Sequence, residues 1–226
     1  MKCPNCSGEC PESAGFCSEC GTQLRPSETF VLGVDLDGVV ADFYRALRPV
    51  AAEWRGLKSE EELTAEVSYG LKEWDIKGAE YQELHRFAVT QREIFLKQPP
   101  MPGAAAALRR LGFNDSIRIR IITHRLFIKY THEMSVRQTV EWLEKHGIPY
   151  WDICFMKAKG AVGADLYIED SPNNIVDLQS KGKNVLIFTN STNRKVAGDR
   201  ADTWDEAERF VLTTVENWKK KNTKVK

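Results

Sequence analysis

The sequence predicts an α/β architecture: an open, mainly parallel sheet covered by helices on both faces, with a helical insertion after the first strand and a small cysteine-rich module in front. Three observations carry this. Short apolar runs of strand type alternate with helical stretches from residue 30 to residue 218. More than sixty residues lie between Asp37 and Ile117, whereas a parallel crossover needs only a dozen or so plus its helix. Five of the six cysteines fall within the first twenty residues.

The elements follow in order. Residues 1–24 form the cysteine module and 25–29 (Arg-Pro-Ser-Glu-Thr) a linker. Phe30–Val34 is an apolar strand that runs straight into Asp35-Leu-Asp-Gly. Residues 41–98 are rich in helix formers and aromatics, among them Phe43, Tyr44, Trp74 and Phe95. They leave from the carboxyl end of the first strand, where open α/β sheets place their ligands, so they should form a cap over the site. Pro99-Pro-Met-Pro-Gly ends the cap. Residues 104–111 then read as a helix with Gly112 just past its end. Ile117–Thr123 is a strand in which apolar residues alternate with Arg118 and Arg120. Residues 133–146 carry an apolar helical face at Val136, Val140 and Leu143, closed by Gly147 and Pro149. Short strands are expected at 153–155 and 166–168, a helix from Pro172 to Lys181, a strand at Val185–Phe188 and a closing helix over 204–218. The catalytic-type domain thus spans 30–218, and the Lys-rich residues 219–226 read as a solvated, frayed tail.

Composition narrows the function. Thirty-two basic residues balance thirty-two acidic ones, so no global positive field exists to attract nucleic acid or an anionic membrane. No apolar stretch approaches the roughly 20 residues that span a bilayer, and the N-terminus lacks a charged-then-apolar export signal. A cytoplasmic protein without membrane contact is the expectation.

The opening Cys3-Pro-Asn-Cys6 and the later Cys17-Ser-Glu-Cys20-Gly place two CxxC turns ten residues apart. Each short turn can aim two thiolates at one tetrahedral Zn²⁺. The segment has few large apolar side chains, chiefly Phe16 and Leu24, so structural zinc would have to supply its folding free energy. A disulfide staple would need an oxidising compartment, which nothing signals. Cys10 reads as a spare thiol that could compete with Cys6 as a ligand. With two basic and three acidic side chains in residues 1–26, such a zinc ribbon suits protein contact or self-association better than phosphate-backbone binding.

Asp35 and Asp37, two apart after a buried strand, can both project into one crevice. Two close carboxylates repel unless a cation sits between them. The competing reading of Asp37-Gly38 is a tight hairpin turn. Thr123 ends the second strand, Lys159 precedes the fourth, and Glu169-Asp170 end the fourth.

This ordered set resembles the haloacid dehalogenase superfamily, over residues 30 to about 190. Phe-Val-Leu-Gly-Val-Asp-Leu-Asp-Gly-Val-Val-Ala-Asp-Phe is more narrowly similar to the cytosolic 5'(3')-deoxyribonucleotidase family, as are Lys159-Gly-Ala-Val-Gly-Ala-Asp-Leu-Tyr-Ile-Glu-Asp and Leu-Ile-Phe-Thr-Asn-Ser-Thr-Asn-Arg. Thr123 is followed by His124-Arg125, and Glu169 stands where that pattern more usually has aspartate. The resemblance implies a Rossmann-like sheet with the cap described above, and a Mg²⁺-dependent phosphatase acting through an aspartyl phosphate. In it Asp35 is the nucleophile, Asp37 the acid and base, Thr123 and Lys159 the phosphoryl-binding groups. Asp35, Asp37, Glu169 and Asp170 are its Mg²⁺ ligands. Lys159 is preferred to Lys157 for its offset from Asp165. The implied substrate is a small phosphorylated molecule, foremost a (deoxy)nucleoside monophosphate. Phe43 and Trp74 could stack on the base, and His124 could line the phosphate pocket. The alternatives are the same chemistry on another phosphometabolite or nucleic-acid end, or a zinc-ribbon binding protein on an inert scaffold.

Overall fold

The strands are β1 (Phe30–Val34), β2 (Ile117–Thr123), β3 (Asp152–Phe155), β4 (Leu166–Glu169), β5 (Val185–Phe188) and β6 (Arg200–Ala201). They pair throughout in parallel in the order β3-β2-β1-β4-β5-β6. The computed structural model describes residues 1–11, 14, 16–22 and 29–223. Except for Thr29, the expected linker lies outside the described residues, as do residues 23 and 24 of the cysteine module and the last three residues of the tail.

Four long helices flank the sheet: α4 (Ala104–Gly112), α5 (His132–His146), α6 (Pro172–Ser180) and α7 (Trp204–Thr223), while α1 (Phe43–Trp54), α2 (Glu80–Arg92) and the short α3 (Ile94–Lys97) lie in the insertion. On one face Leu32, Val34, Ile119 and Ile121 pack against Leu108 of α4, Trp142 of α5 and Val211 of α7. On the other, Ile122, Tyr167 and Ile187 meet Ile175 and Leu178 of α6. Both faces being covered, β5 is apolar at every position and β4 up to its terminal Glu169, and both are buried throughout. The insertion has a core of its own, built from Leu47, Ala51, Leu71, Trp74, Leu84 and Phe95.

The structure departs from expectation in four places. β6 is only two residues long, too short to leave a periodic signal. The buried face of α5 is Ser135, Gln138, Thr139, Trp142 and Leu143, with Val136 and Val140 only half-buried. Its polar members are inside because they have partners there: Gln138 Nε2 donates to the Val89 carbonyl at 3.0 Å, and Thr139 Oγ1 receives Arg125. Gly112 is the last residue of α4 and not the residue past its end, a place taken by Phe113. Finally, α7 runs on through Lys219–Lys221 of the expected frayed tail to Thr223. Lysine is a good helix former, and its charge suits a helix C-terminus.

Candidate active site

Strand order dictates where a site can form. From β1 the chain steps outward to β2 and β3, then returns to the far side of β1 with β4, so the order reverses beside β1. Asp35 directly follows β1, Thr123 ends β2, Glu169 ends β4 and Asp170 follows it. The loop after β1 is no hairpin: the amides of Val39, Val40 and Ala41 all donate to the Leu36 carbonyl, at 3.2, 2.9 and 2.8 Å. This winds the chain tightly around the crevice. Gly38 sits in the loop at φ +86°, where a Cβ would lie 2.0 Å from Asp170 Oδ2. Only glycine lets the loop approach that carboxylate.

Asp35, Glu169 and Asp170 are buried, with one oxygen of each within 4.8 Å of the others. Lys159 Nζ, also buried, lies 2.7 Å from Asp35 Oδ1 and 2.7 Å from Glu169 Oε2. Lys157 is exposed at the cavity rim. Burial opposes the charge on Lys159, but Asp35 and Glu169 outweigh it and hold its pKa above the usual lysine range. Glu169 Oε1 receives the Ser171 amide and Asn174 Nδ2, at 3.0 and 3.2 Å. Asp170 Oδ2 receives Asn190 Nδ2 at 2.7 Å, while Asn193 Nδ2 holds the Asp170 carbonyl at 2.8 Å. Burial, then the Glu169 carboxylate, push Asp170 up to about 8. The same two causes raise Asp35 well above the carboxylate range, against the pull of Lys159.

One ammonium facing three carboxylates leaves two negative charges over, and the donors are all hard oxygens. That is the deficit and the chemistry a Mg²⁺-type ion fits. The Ser171 hydroxyl, which lines the same cavity, is buried without a partner among the described residues and is a further oxygen for a bound group to use.

The Asp37 carboxylate, expected beside the other acids as a Mg²⁺ ligand, stands apart from the three that cluster, because Arg125 holds it. Arg125 Nε reaches its Oδ2 at 3.0 Å and Arg125 Nη2 its Oδ1 at 2.6 Å, with Gln98 Nε2 at 3.4 Å. Thr123 is buried at the cavity floor, and His124 lines it. Burial lowers the His124 pKa, and the cations Lys157 and Lys159 add to that.

The cavity over these groups has a volume of ≈ 380 Å³. Its cap-side wall is aromatic: Phe43, Tyr44, Tyr69, Tyr81 and Phe95, with Phe127 from the loop after β2. A larger recess of ≈ 490 Å³ opens at the other end of the strands, beside Phe30, Leu166 and Val185, and holds none of the clustered acids. Phe43 therefore faces the cavity as expected, whereas Trp74 does not. Trp74 is 1% exposed inside the cap core, with its indole N–H donated to the Thr64 carbonyl at 2.8 Å. A buried indole needs such an acceptor, and Trp74 finds it away from the site. The cap is seated on the sheet domain by Ser191, whose hydroxyl donates to the Val67 carbonyl at 2.7 Å and accepts the Val67 amide at 3.2 Å.

His85 takes the place by the pocket that Trp74 does not. It stacks on Phe43 at 5.6 Å and Tyr81 at 4.1 Å, and its Nδ1–H donates to the Tyr81 carbonyl at 2.7 Å. Burial drops its pKa to about 4, from the 6.5 of an ordinary histidine. Below pH 6.5 the unfolded chain therefore gains a proton that the folded one refuses, so stability falls with pH and levels off only below about 4. The loss between pH 7 and 4.5 should be roughly 2 kcal/mol. Urea titrations of the parent and His85→Phe at both pH values check this. An equal loss in the two proteins would refute it.

In the N-terminal module the sulfurs of Cys3, Cys6, Cys17 and Cys20 lie within 4.8 Å of one another, with Cys3 to Cys20 and Cys6 to Cys17 each 3.6 Å. Two like turns bring them there: the Cys3 amide donates to the Gly8 carbonyl and the Cys17 amide to the Thr22 carbonyl, at 2.9 and 2.8 Å. The cluster can hold a metal ion. Cys10 is not part of it; its thiol points to the Gly8 carbonyl at 3.7 Å.

Sequence reasoning gave no role to Arg125, Asn190, Asn193 or His85. The asparagines had a signal, a polar Asn-Ser-Thr-Asn run just past a buried strand; Arg125 had only its place two residues beyond Thr123.

Residues 29–217 match the model of the family described as 5' nucleotidase, deoxy (pyrimidine), cytosolic type C (NT5C). The chain is 54% identical over 179 residues, 79% of its own length and 88% of the other, to a Chlorobaculum tepidum protein provisionally named a 5'(3')-deoxyribonucleotidase. Among solved structures, a haloacid dehalogenase-like hydrolase from Streptococcus pneumoniae superposes with TM-score 0.57 at 14% identity, covering 81% of this chain and 99% of that one. A haloacid dehalogenase-like hydrolase from Xanthomonas campestris gives 0.51 at 13% identity, covering 86% and 95%. At such identities the likeness speaks for the fold.

Proposed function

The chain belongs to the cytosolic type C 5' nucleotidase family and is a phosphatase of the haloacid dehalogenase type, and from this footing we propose that it removes phosphate from deoxyribonucleoside monophosphates, with Mg²⁺, by way of a phosphorylated Asp35. The observation that carries the reading is the Asp35 carboxylate, set among Lys159, Glu169 and Asp170 on the floor of an aromatic-walled cavity.

Each residue then has a task. An Asp35 oxygen attacks phosphorus while the ester P–O bond breaks, which divides one hard displacement into two easier ones. Asp37 gives a proton to the departing alkoxide and later takes one from the water that hydrolyses the acyl phosphate. The Thr123 hydroxyl and Lys159 ammonium bind phosphoryl oxygens, Lys159 while it holds Asp35 in line. Asp35 and Asp170 would hold the divalent ion, with Glu169 beside them, although both Glu169 oxygens already accept hydrogen bonds. When bound, that ion would neutralise charge shared by the acids and the phosphoryl group. Phe43 and its aromatic neighbours enclose a nucleobase by stacking and exclude water from the reacting ester. In the N-terminal module Zn²⁺ on four thiolates plays a structural part.

A phosphate-release screen tests the reading, comparing deoxyribonucleoside 5'- and 3'-monophosphates, ribonucleotides and hexose phosphates. We expect the highest kcat/KM with a deoxyribonucleotide, and loss of turnover when EDTA replaces Mg²⁺. A hexose phosphate outrunning every nucleotide, or full turnover in EDTA, would sink it.

A further inference from the structure

Arg125 is 1% exposed, and an arginine taken out of water is held at a net cost unless every donor is met. Its fork spends two donors on the two oxygens of Asp37. A third, from Nη1, goes to Thr139 Oγ1 at 3.0 Å, and that hydroxyl is in turn fixed on the Ser135 carbonyl at 2.6 Å. The guanidinium lies over the Phe95 ring at 4.2 Å, so its plane is clamped between α5 and the cap. A planar fork seated this way fixes both the position and the rotation of the carboxylate it grips.

That grip answers a problem created by the loop. Asp37 follows Asp35 by two residues and precedes Gly38, so little in the backbone stops its carboxylate from swinging toward the cation the other acids attract. Were it to do so, it could not meet the leaving oxygen. We propose that Arg125 is a positioning residue for the reaction: it withholds Asp37 from the cluster of Asp35, Glu169 and Asp170 and presents it to the departing alkoxide. Phe95 both carries the guanidinium and lines the cavity, so the cap contributes to the seat of the acid–base carboxylate. This inference rests on the reading of Asp35 and Asp37 given above.

The test exploits leaving groups. An alkoxide of high pKa needs a proton to depart, whereas p-nitrophenolate does not. Arg125→Gln and Arg125→Lys are compared with the parent on a deoxyribonucleotide and on a graded series of aryl phosphates, with melting curves recorded for each protein. We expect kcat/KM, which reports phosphoryl transfer to Asp35 and not the later hydrolysis that also uses Asp37, to fall about 10²-fold on the nucleotide in both variants, the scale of a misplaced acid–base group. The fall should shrink steadily along the aryl series and nearly vanish for p-nitrophenyl phosphate. Arg125→Lys keeps the charge without the fork and should follow Arg125→Gln; an Arg125→Lys protein with the parent's leaving-group dependence would overturn the proposal. So would an equal loss of kcat/KM on every substrate, which is the mark of a structural arginine. Guanidinium ion added to Arg125→Ala should recover turnover on the nucleotide selectively. If the parent hydrolyses aryl phosphates but no nucleotide, the substrate reading fails while the leaving-group series still decides the role of Arg125.

Discussion

Asp35→Asn is expected to lower phosphate release at least about 10⁴-fold on every substrate, activated aryl phosphates included, because it removes the attacking oxygen and not an assisting group. The substitution is close to isosteric. An asparagine Oδ1 can still accept the Leu36 amide, 2.8 Å from Asp35 Oδ1, and the Lys159 ammonium, 2.7 Å from the same atom. Lys159 also keeps Glu169. The buried site meanwhile loses a carboxylate that burial and the neighbouring Glu169 charge hold well above the usual range. The metal-free variant should therefore melt no lower than the parent, a site built for reactivity being strained by its own charge. Acid-quenched peptide mapping should find phosphate on the peptide that holds Asp35 in the parent and none in the variant. A variant that turns over at the parent's rate, or phosphate trapped on Asp37 instead, would remove the nucleophile from Asp35.

Why Asp35 could be singled out from the sequence, and Arg125 could not, is a matter of where the information lies. Asp35, Thr123, Glu169 and Asp170 end or follow apolar strands, and a parallel sheet with short strands brings such ends together whatever else the chain does. The same logic exposed the cap, because its length exceeds any crossover. The position of Arg125 depends instead on Asp37, 88 residues away, and on Thr139 on a helix whose inward face cannot be read from hydrophobicity. That face is polar, and a search for apolar periodicity turned α5 toward Val136 and Val140. Trp74 and His85 show the same limit. Size and aromaticity put Trp74 forward as a stacking platform, yet its indole found an acceptor inside the cap, while the helix carrying His85 aims it at Phe43. Pairing rules reach the floor of the site; tertiary hydrogen bonds decide its walls.

The second large effect belongs to the cysteine module. If the four thiolates hold the proposed Zn²⁺, withdrawing it should unfold the described part of residues 1–22 while leaving the sheet domain folded, since the two have separate cores. The module buries Cys3, Cys10 and Cys17 with Ala14 packed beside them, and its described large apolar side chains, Met1 and Phe16, are 47% and 63% exposed. So small an apolar set cannot offset the entropy of ordering some twenty residues, whereas a four-thiolate Zn²⁺ site can, contributing on the order of 10 kcal/mol. The thiols themselves argue for a cation. The Gly8 amide favours the Cys6 thiolate, yet crowding by Cys20 and Cys17 pushes the Cys6 thiol up to about 12. Four sulfurs this close cannot all ionise without positive charge between them. Native mass spectrometry should find one Zn²⁺ per chain, lost in Cys3→Ser or with a strong chelator. Amide resonances from the module should then collapse to random-coil positions while those of the sheet stay dispersed. A module that keeps its dispersed resonances without metal, or two disulfides in place of the ion, would show that something other than zinc holds the paired turns together.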